Sequence, residues 1–332
     1  MKPAVRVACL GMGWWSDVLA YAIKRSGKLT IAACFTRSKD KRDKFAARYG
    51  CRAAASYEEI LSDKTIEAII NTTPNAAHLE TTRAAAATGK HVFLDKPIAN
   101  TIADARAITE ACRMAGVVLA LGYQRRREMH FRFIRQKIDE GAFGKLVNAE
   151  ANISRDRLGK IDLSSWRYQA AGMPGGVMLQ IGIHYTDVLE YLLGPVKAVS
   201  GQLVRLVLPG DNPDVASLVL EHESGALSTL NASYASASEY YLMNIYGKGA
   251  SAYYDLHQGL RYLKRGSARP EIISYKENDP IVEELEEFAR AVRGEAKPEM
   301  DGVRGTASLA VILAGIRSAK EGRRVEVKEI LQ

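Results

Sequence analysis

Through the first 122 residues, short apolar runs alternate with segments whose apolar positions recur three or four apart. VRVACLG reads as a buried strand, DVLAYAIKRS as an amphipathic helix, LTIAACFT as a second strand, and KDKRDKFAARYG as a charged helix closed by Gly50. EAIINTT, HLETTRAAAATGK, KHVFLDKP, TIADARAITEACRMAG and VVLALGY continue the alternation. Strands and helices in strict succession, joined by right-handed crossovers, predict a doubly wound parallel sheet. Its ligand crevice should lie at the carboxyl ends of the strands.

Beyond an amphipathic helix near 128–140 the pattern changes. LVNAEANIS, VKAVSGQLVRLVL, DVASLVLEH, ALSTLNASYA, YLMNIYG and SAYYDL follow one another closely, several with period-2 alternation, and HESGAL reads as a hairpin turn. One helix, HYTDVLEYLLG, is inserted early; helices near 281–293 and 303–321 and a short strand RRVEV close the chain. This half is therefore expected to be α+β, with a largely antiparallel open sheet. The predicted domains are 1–122 and 123–332, with the C-terminal helix able to pack back toward the first.

A length of 332 residues, 47% hydrophobic and 25% charged, suits a globular protein of two domains. No apolar run approaches the roughly 20 residues that span a bilayer, and MKPAVRVACLGMG passes straight into a strand without a signal-like stretch, so a cytoplasmic protein is expected. Cys9, Cys34, Cys51 and Cys112 have no metal-ligand spacing; they read as buried thiols, and no metal site is predicted. The net charge of +8 and the segment GYQRRREMHFRFIRQK raise nucleic-acid binding. No binding motif accompanies the charge, and Met129, Phe131, Phe133, Ile134 and Ile138 explain the segment as an amphipathic helix with a solvated basic face.

Gly11-Met12-Gly13-Trp14-Trp15-Ser16 lies between a predicted strand and a predicted helix, the setting in which a G-x-G-x-x-G match signals a dinucleotide site. Gly11 permits the tight turn, Gly13 lets backbone approach a pyrophosphate, and Ser16 is small enough for the third position. After the second strand comes Phe35-Thr36-Arg37-Ser38 where an acid would bind ribose hydroxyls; the first carboxylate, Asp40, falls in the next helix. A hydroxyl followed by arginine suits a ribose 2′-phosphate, so NADP is favoured and NAD is the alternative. The bland reading of Arg37 is an exposed loop arginine.

Four further segments share an order with this turn: Asn71-Thr72-Thr73-Pro74-Asn75 with His78, Asp95-Lys96-Pro97, Gly122-Tyr123-Gln124-Arg125-Arg126, and Gly175 to His184 with Asp187. Together they resemble the Gfo/Idh/MocA oxidoreductases, relatives of glucose-fructose oxidoreductase and inositol dehydrogenase, from end to end of the chain. The resemblance implies a Rossmann domain followed by a substrate-binding and oligomerisation domain, a homodimer or homotetramer, and reversible hydride transfer between a nicotinamide and a secondary alcohol of a sugar, glycoside or cyclitol-like ring. It implies Lys96 as catalytic lysine and His184 as its assisting histidine. Thr72, Thr73, Pro74, Asn75, His78 and Asp95 fall at cofactor positions. Trp166 falls near the cleft and Arg167 near the cofactor phosphates. Where the family often has an aspartate four residues before the histidine, this chain has Gln180, a substrate-binding candidate.

The chemistry is coherent with that resemblance. Removing hydride from a carbinol carbon requires a base for the hydroxyl proton, and lysine, at about 10.4 unperturbed, serves only when burial or positive neighbours depress it. Gln180 exchanges no proton but hydrogen-bonds a hydroxyl. Tyr123 and Gln124, directly after the last strand of the first sheet, are expected to touch substrate or nicotinamide. Trp14 and Trp15 point in directions about 100 degrees apart. One, taken as Trp15, is expected to offer a face to the sugar, the alternative being packing by both. Surface lysine, helix-end histidine, turn acid and structural tryptophan are the bland readings of Lys96, His184, Asp95 and Trp166. Arg125, Arg126 and Arg127 read as a solvated run in preference to an anchor for a carboxylated or phosphorylated substrate. The reading from another functional class is a non-catalytic dinucleotide-binding sensor or regulator.

Overall fold

Apolar residues of VRVACL, LTIAACF, AIIN, HVFLD and LALG are buried on both sides, as strands covered by helices on two faces must be. In the computed structural model, which describes residues 3–159, 162 and 164–332, they form a six-stranded parallel sheet in the order β3-β2-β1-β4-β5-β6. The elements are β1 (Val5–Leu10), α1 (Trp14–Ser26), β2 (Leu29–Phe35), α2 (Lys39–Tyr49), β3 (Arg52–Ala53), α3 (Tyr57–Ser62), β4 (Ala68–Asn71), α4 (His78–Ala87), β5 (His91–Asp95), α5 (Ile102–Met114) and β6 (Leu119–Gly122). The order reverses at β1, whose neighbours are β2 and β4, so the crevice lies at the ends of Leu10 and Asn71.

The second sheet grows from α6 (Met129–Asp139), β7 (Leu146–Asp156), α7 (Ile183–Leu193), β8 (Val196–Val204), β9 (Val215–His222), β10 (Leu227–Ser233), β11 (Ala235–Gly247), β12 (Ala250–Asp255), β13 (Gly259–Lys264) and β14 (Glu271–Ile272). Its order is β14-β13-β12-β11-β7-β10-β9-β8-β15, with β15 (Val325–Glu326) at the far edge; every pair is antiparallel except β7 with β10. Ala149, Ala151 and Ile153 of β7 alternate with outward residues and are buried, and α7 buries Val188, Leu189 and Leu192. One face is covered and the other open, hence the period of two.

The chain does not divide into two contiguous halves at residue 122. Residues 279–306 belong with 1–124, and 307–332 with 125–278. The returning segment carries α8 (Pro280–Val292), started by Asp279, whose carboxylate accepts from Val282 N, and by Pro280 at its first position. Leu285 and Phe288 are fully buried in the core of the first unit, with Phe288 edge-on to Phe93 at 5.8 Å. Such burial is worth about 1.5–3 kcal/mol per side chain. The helix α9 (Gly302–Glu321) and α10 (Lys328–Leu331) complete the chain. Cys9, Cys34 and Cys112 are buried as expected; Cys51 is only half-buried, and none is in a disulfide. No helix among the described residues is long and apolar enough to cross a membrane, and no group of metal-ligating side chains occurs among them.

Candidate active site

The glycine turn is built against the end of β4. Gly11 has φ +83°, and a Cβ there would stand 2.7 Å from the Thr72 carbonyl oxygen. Thr72 N donates to Leu10 O at 2.9 Å, and its hydroxyl donates to Leu10 O and Gly11 O at 2.9 and 2.8 Å. The expected cofactor residue Thr72 is thus a lock on the turn. A Cβ on Gly13 would meet nothing within 4 Å, so this side of the turn is open.

Directly after Gly13, α1 begins with no side-chain cap, whereas α2, α3, α5 and α8 are capped by Ser38, Ser56, Thr101 and Asp279. Its first N–H groups therefore lack side-chain acceptors at the positive end of the helix dipole, beside open space, which fits a pyrophosphate. The first-turn acid Asp17 is held by Arg48 at 2.9 Å and by the Tyr49 hydroxyl at 2.9 Å.

The two tryptophans separate. Trp15 packs against the core of the first unit, with Met12 beside it, while Trp14 is 72% exposed and tilts over Trp15 at 5.5 Å. Trp15, expected to offer a face to the sugar, is partly buried and packs against the core, while the exposed ring is Trp14.

At the end of β2, Arg37 is exposed without a partner among the described residues. Arg42 Nη1 donates to Thr36 O at 3.3 Å, with its guanidinium 5.7 Å from the Phe35 ring. Ser38 Oγ accepts from Lys41 N, so Ser38 caps α2, and Asp40 is paired with Lys44 at 2.9 Å. The nearest acid after the strand is thereby engaged by a lysine.

The third and fourth loops are tied together by His78, which is buried. Its Nδ1 lies 3.1 and 3.2 Å from the carbonyls of Pro97 and Ile98, and its Nε2 lies 3.0 Å from Thr73 O. Burial holds its imidazole below the usual histidine range. His78, expected at the cofactor, has its ring spent on these carbonyls and positions the loops instead. Asn71 Oδ1 accepts from Thr73 N and Oγ1, and buried Asn75 donates to Asn100 Oδ1 at 2.9 Å. Asp95 ends β5, followed by Lys96 and a cis peptide to Pro97. Tyr123 is 1% exposed, so its ring belongs to the core rather than to a substrate surface. Gln124 opens a 3-10 turn, and its Oε1 is buried with no hydrogen-bond partner among the described residues. Such an orphaned acceptor suits a carboxamide N–H.

In the second unit, Gly175 and Gly176 have φ +73° and +49°, and a Cβ on Gly176 would lie 2.4 Å from Pro213 O. This forced turn leads into a π-helical turn, Met178–Gly182, which carries Gln180 and runs directly into α7. The Tyr234 hydroxyl donates to Gln180 Oε1. Tyr234 was not foreseen; its only signal was a tyrosine ending a strand-like run. His184 is buried in the first turn of α7. Trp166 and Arg167 lie in a 3-10 turn, the guanidinium 4.5 Å from the indole.

The arginine run is not solvated. Arg126 and Arg127 are buried; Arg126 Nε donates to Asp187 Oδ2 at 2.9 Å, its Nη2 meets Oδ1, and it lies 5.0 Å from the Tyr191 ring. Arg125 pairs with Glu128 at 3.1 Å and stacks on Tyr241 at 4.4 Å. Distant partners outweigh the local charge pattern.

An uncapped helix beside an open glycine turn, at the switch point of a parallel sheet, defines a Rossmann-type dinucleotide-binding protein. Residues 5–123 match the oxidoreductase family model with an NAD-binding Rossmann fold, and residues 131–253 match the GFO/IDH/MocA C-terminal domain. The chain belongs to the Gfo/Idh/MocA family and is an NAD(P)-dependent oxidoreductase. Among its relatives are a 1,5-anhydro-D-fructose reductase of Ensifer adhaerens, 27% identical over 92% of this chain and 93% of that one, and a myo-inositol 2-dehydrogenase of Thermotoga maritima, 24% identical over 98% and 100%. A solved structure from Desulfitobacterium hafniense, provisionally described as an NADPH-dependent oxidoreductase, is 31% identical, with a TM-score of 0.95 over 100% of both chains.

Proposed function

We propose that this chain moves a hydride between a nicotinamide dinucleotide and a secondary alcohol or ketone of a sugar, glycoside or cyclitol-like ring, with Lys96 as acid/base and His184 assisting. The observation that carries the cofactor half is the uncapped N-terminus of α1 beside the open side of Gly13. The relatives named for anhydrofructose and inositol support the ring. When bound, the nicotinamide supplies the hydride acceptor or donor. The chain's own part is to hold the pyrophosphate on the first turn of α1, to meet the carboxamide with Gln124, and to take or return the hydroxyl proton at Lys96 Nζ. Thr73, Pro74, Asn75 and Asp95 complete the cofactor side, Arg167 meets the phosphates, and Gln180 and Trp166 orient the ring.

The test is a screen of purified protein with NAD and NADP against sugars, glycosides, cyclitols and their keto forms, followed by nicotinamide absorbance. Binding of dinucleotide with no turnover of any ring would replace this reading by the sensor.

NADP is the favoured cofactor. Arg37 is exposed at the end of β2 and Asp40 is engaged by Lys44, so a 2′-phosphate there meets a guanidinium and no free carboxylate. Arg37→Ala is expected to weaken NADP about 10-fold or more and NAD hardly at all, as losing a charged hydrogen bond of about 1.5–3 kcal/mol implies. Titration with each dinucleotide checks this, and equal losses would refute the phosphate role.

The open face of the second sheet, with Val219, Leu227, Tyr246 and Tyr253 on its outward positions, is taken as the surface through which copies form a homodimer or homotetramer. A monomer in sedimentation would exclude that. The four cysteines outside any disulfide support a cytoplasmic location, which fractionation of cells would test.

A further inference from the structure

Arginines of the second unit lie close to two tyrosines. Tyr234 is 3% exposed, its hydroxyl is bonded to Gln180, and Tyr168 stands edge-on to it at 6.2 Å. Arg157 N donates to Tyr234 O at 2.9 Å, and burial pushes the Tyr234 hydroxyl well above the usual tyrosine range while the charges of Arg157, Arg155 and Arg167 oppose that rise. Arg155 also lies 5.8 Å from the Tyr241 ring, which carries Arg125 at 4.4 Å.

The charges in this cluster are unevenly matched. Arg125 has Glu128 at 3.1 Å. Among the described residues, the carboxylate that meets Arg155 is Glu239, at 4.0 Å with a side chain 53% exposed, and Arg155 Nε is buried with no hydrogen-bond partner there. Arg157 and Arg167 have no carboxylate partner among the described residues. A buried donor left unmade is a cost the fold bears without return unless an acceptor arrives from outside. Beside Tyr234 stands Gln180, a neutral amide that offsets none of the arginines' charge and leaves it for a ligand.

We propose that the substrate of this chain is an acidic sugar, whose carboxylate or phosphate is held by Arg155 and Arg157 beside Tyr234 and Gln180. This rests on the oxidoreductase reading for the reaction but not for the binding. The net charge of +8 favours approach of such a ligand. Guanidinium forks match carboxylate and phosphate oxygens alike, so chemistry alone does not choose between them.

The experiment pairs binding with turnover. Calorimetry on the dinucleotide-loaded protein uses glucuronate, galacturonate and glucose 6-phosphate against glucose, galactose and myo-inositol; the same compounds are assayed for nicotinamide reduction. Acidic members are expected to bind at least about 10-fold more tightly than neutral parents, and Arg155→Met and Arg157→Met each to weaken them about 10- to 100-fold, with Arg155→Lys intermediate. The uronate and phosphate arms tell which anion is used. Neutral sugars bound as tightly as acidic ones, or no acidic member bound, would overturn the inference, as would variants that lose dinucleotide affinity instead. Binding and turnover of acidic sugars untouched by Arg155→Met and Arg157→Met would sink it while leaving the oxidoreductase standing. Acidic sugars bound without any reduction would do the reverse. Thermal unfolding of each variant separates lost contacts from lost fold.

Discussion

Lys96→Met is expected to lower turnover by about 100-fold or more while dinucleotide binding is retained, because a positioned acid or base contributes typically 10²–10⁴ and methionine keeps the aliphatic stem without Nζ. The retained binding follows from the separate construction of the phosphate site. Gly11, Thr72 and the first turn of α1 are held by backbone hydrogen bonds and by the Thr72 hydroxyl, which donates to Leu10 O and Gly11 O. Steady-state rates in both directions, with dinucleotide titrations, check this, and a wild-type-like rate for Lys96→Met would remove the lysine from the chemistry.

The parallel sheet is legible because its signals are local. Strand runs such as AIIN and HVFLD and the capped helices between them each declare their type within about ten residues. Right-handed crossovers then leave few orders open. What local pattern omits is the identity of the partner. Leu285 and Phe288 mark α8 as amphipathic, yet nothing near them says that their stripe closes the core around Phe93. Likewise β7 reads as a strand, but its parallel pairing with β10 inside an otherwise antiparallel sheet is decided by residues some 80 positions away. The two-residue β3 is too short to have a period.

The site divides in the same way. Gly11 is readable because only glycine meets its positive φ and its close approach to Thr72, Gly13 because it recurs two residues on at the start of a helix, and Lys96 because it follows a strand end before proline. Thr72, Ser38 and His78 look like ligand-binding residues in sequence, since hydroxyl and imidazole serve binding and scaffolding equally. Their spatial partners, the Leu10 and Gly11 carbonyls, Lys41 N and the Pro97 carbonyl, decide for scaffolding. Trp15 and Tyr123 are assigned to ligand for the same reason and go to the core. The π-helical turn that carries Gln180, bonded to Tyr234, has no sequence signature beyond the two glycines before it.

The arginine run carries the other large expectation. Arg126→Met should destabilise the protein by about 3–5 kcal/mol, since breaking one side of a buried pair leaves a charge in low dielectric. Arg126 and Asp187 meet through two hydrogen bonds, with side chains 7% and 1% exposed. Removing the guanidinium withdraws positive charge from Asp187. It also exposes Asp187 to Glu190, whose enclosed carboxyl burial has already raised to about 7 while Arg126 holds it down. The sign of the pH dependence follows. Losing Arg126 raises the folded-state proton affinity of Glu190, so the deficit should be greatest near pH 8 and should narrow toward pH 5 as that carboxyl takes up its proton. A solvated arginine would give a loss below about 1 kcal/mol with no such dependence. Denaturant unfolding of both proteins at pH 5 and pH 8 decides between the two, and a small, pH-independent loss would show that this pair contributes nothing to the stability of the fold.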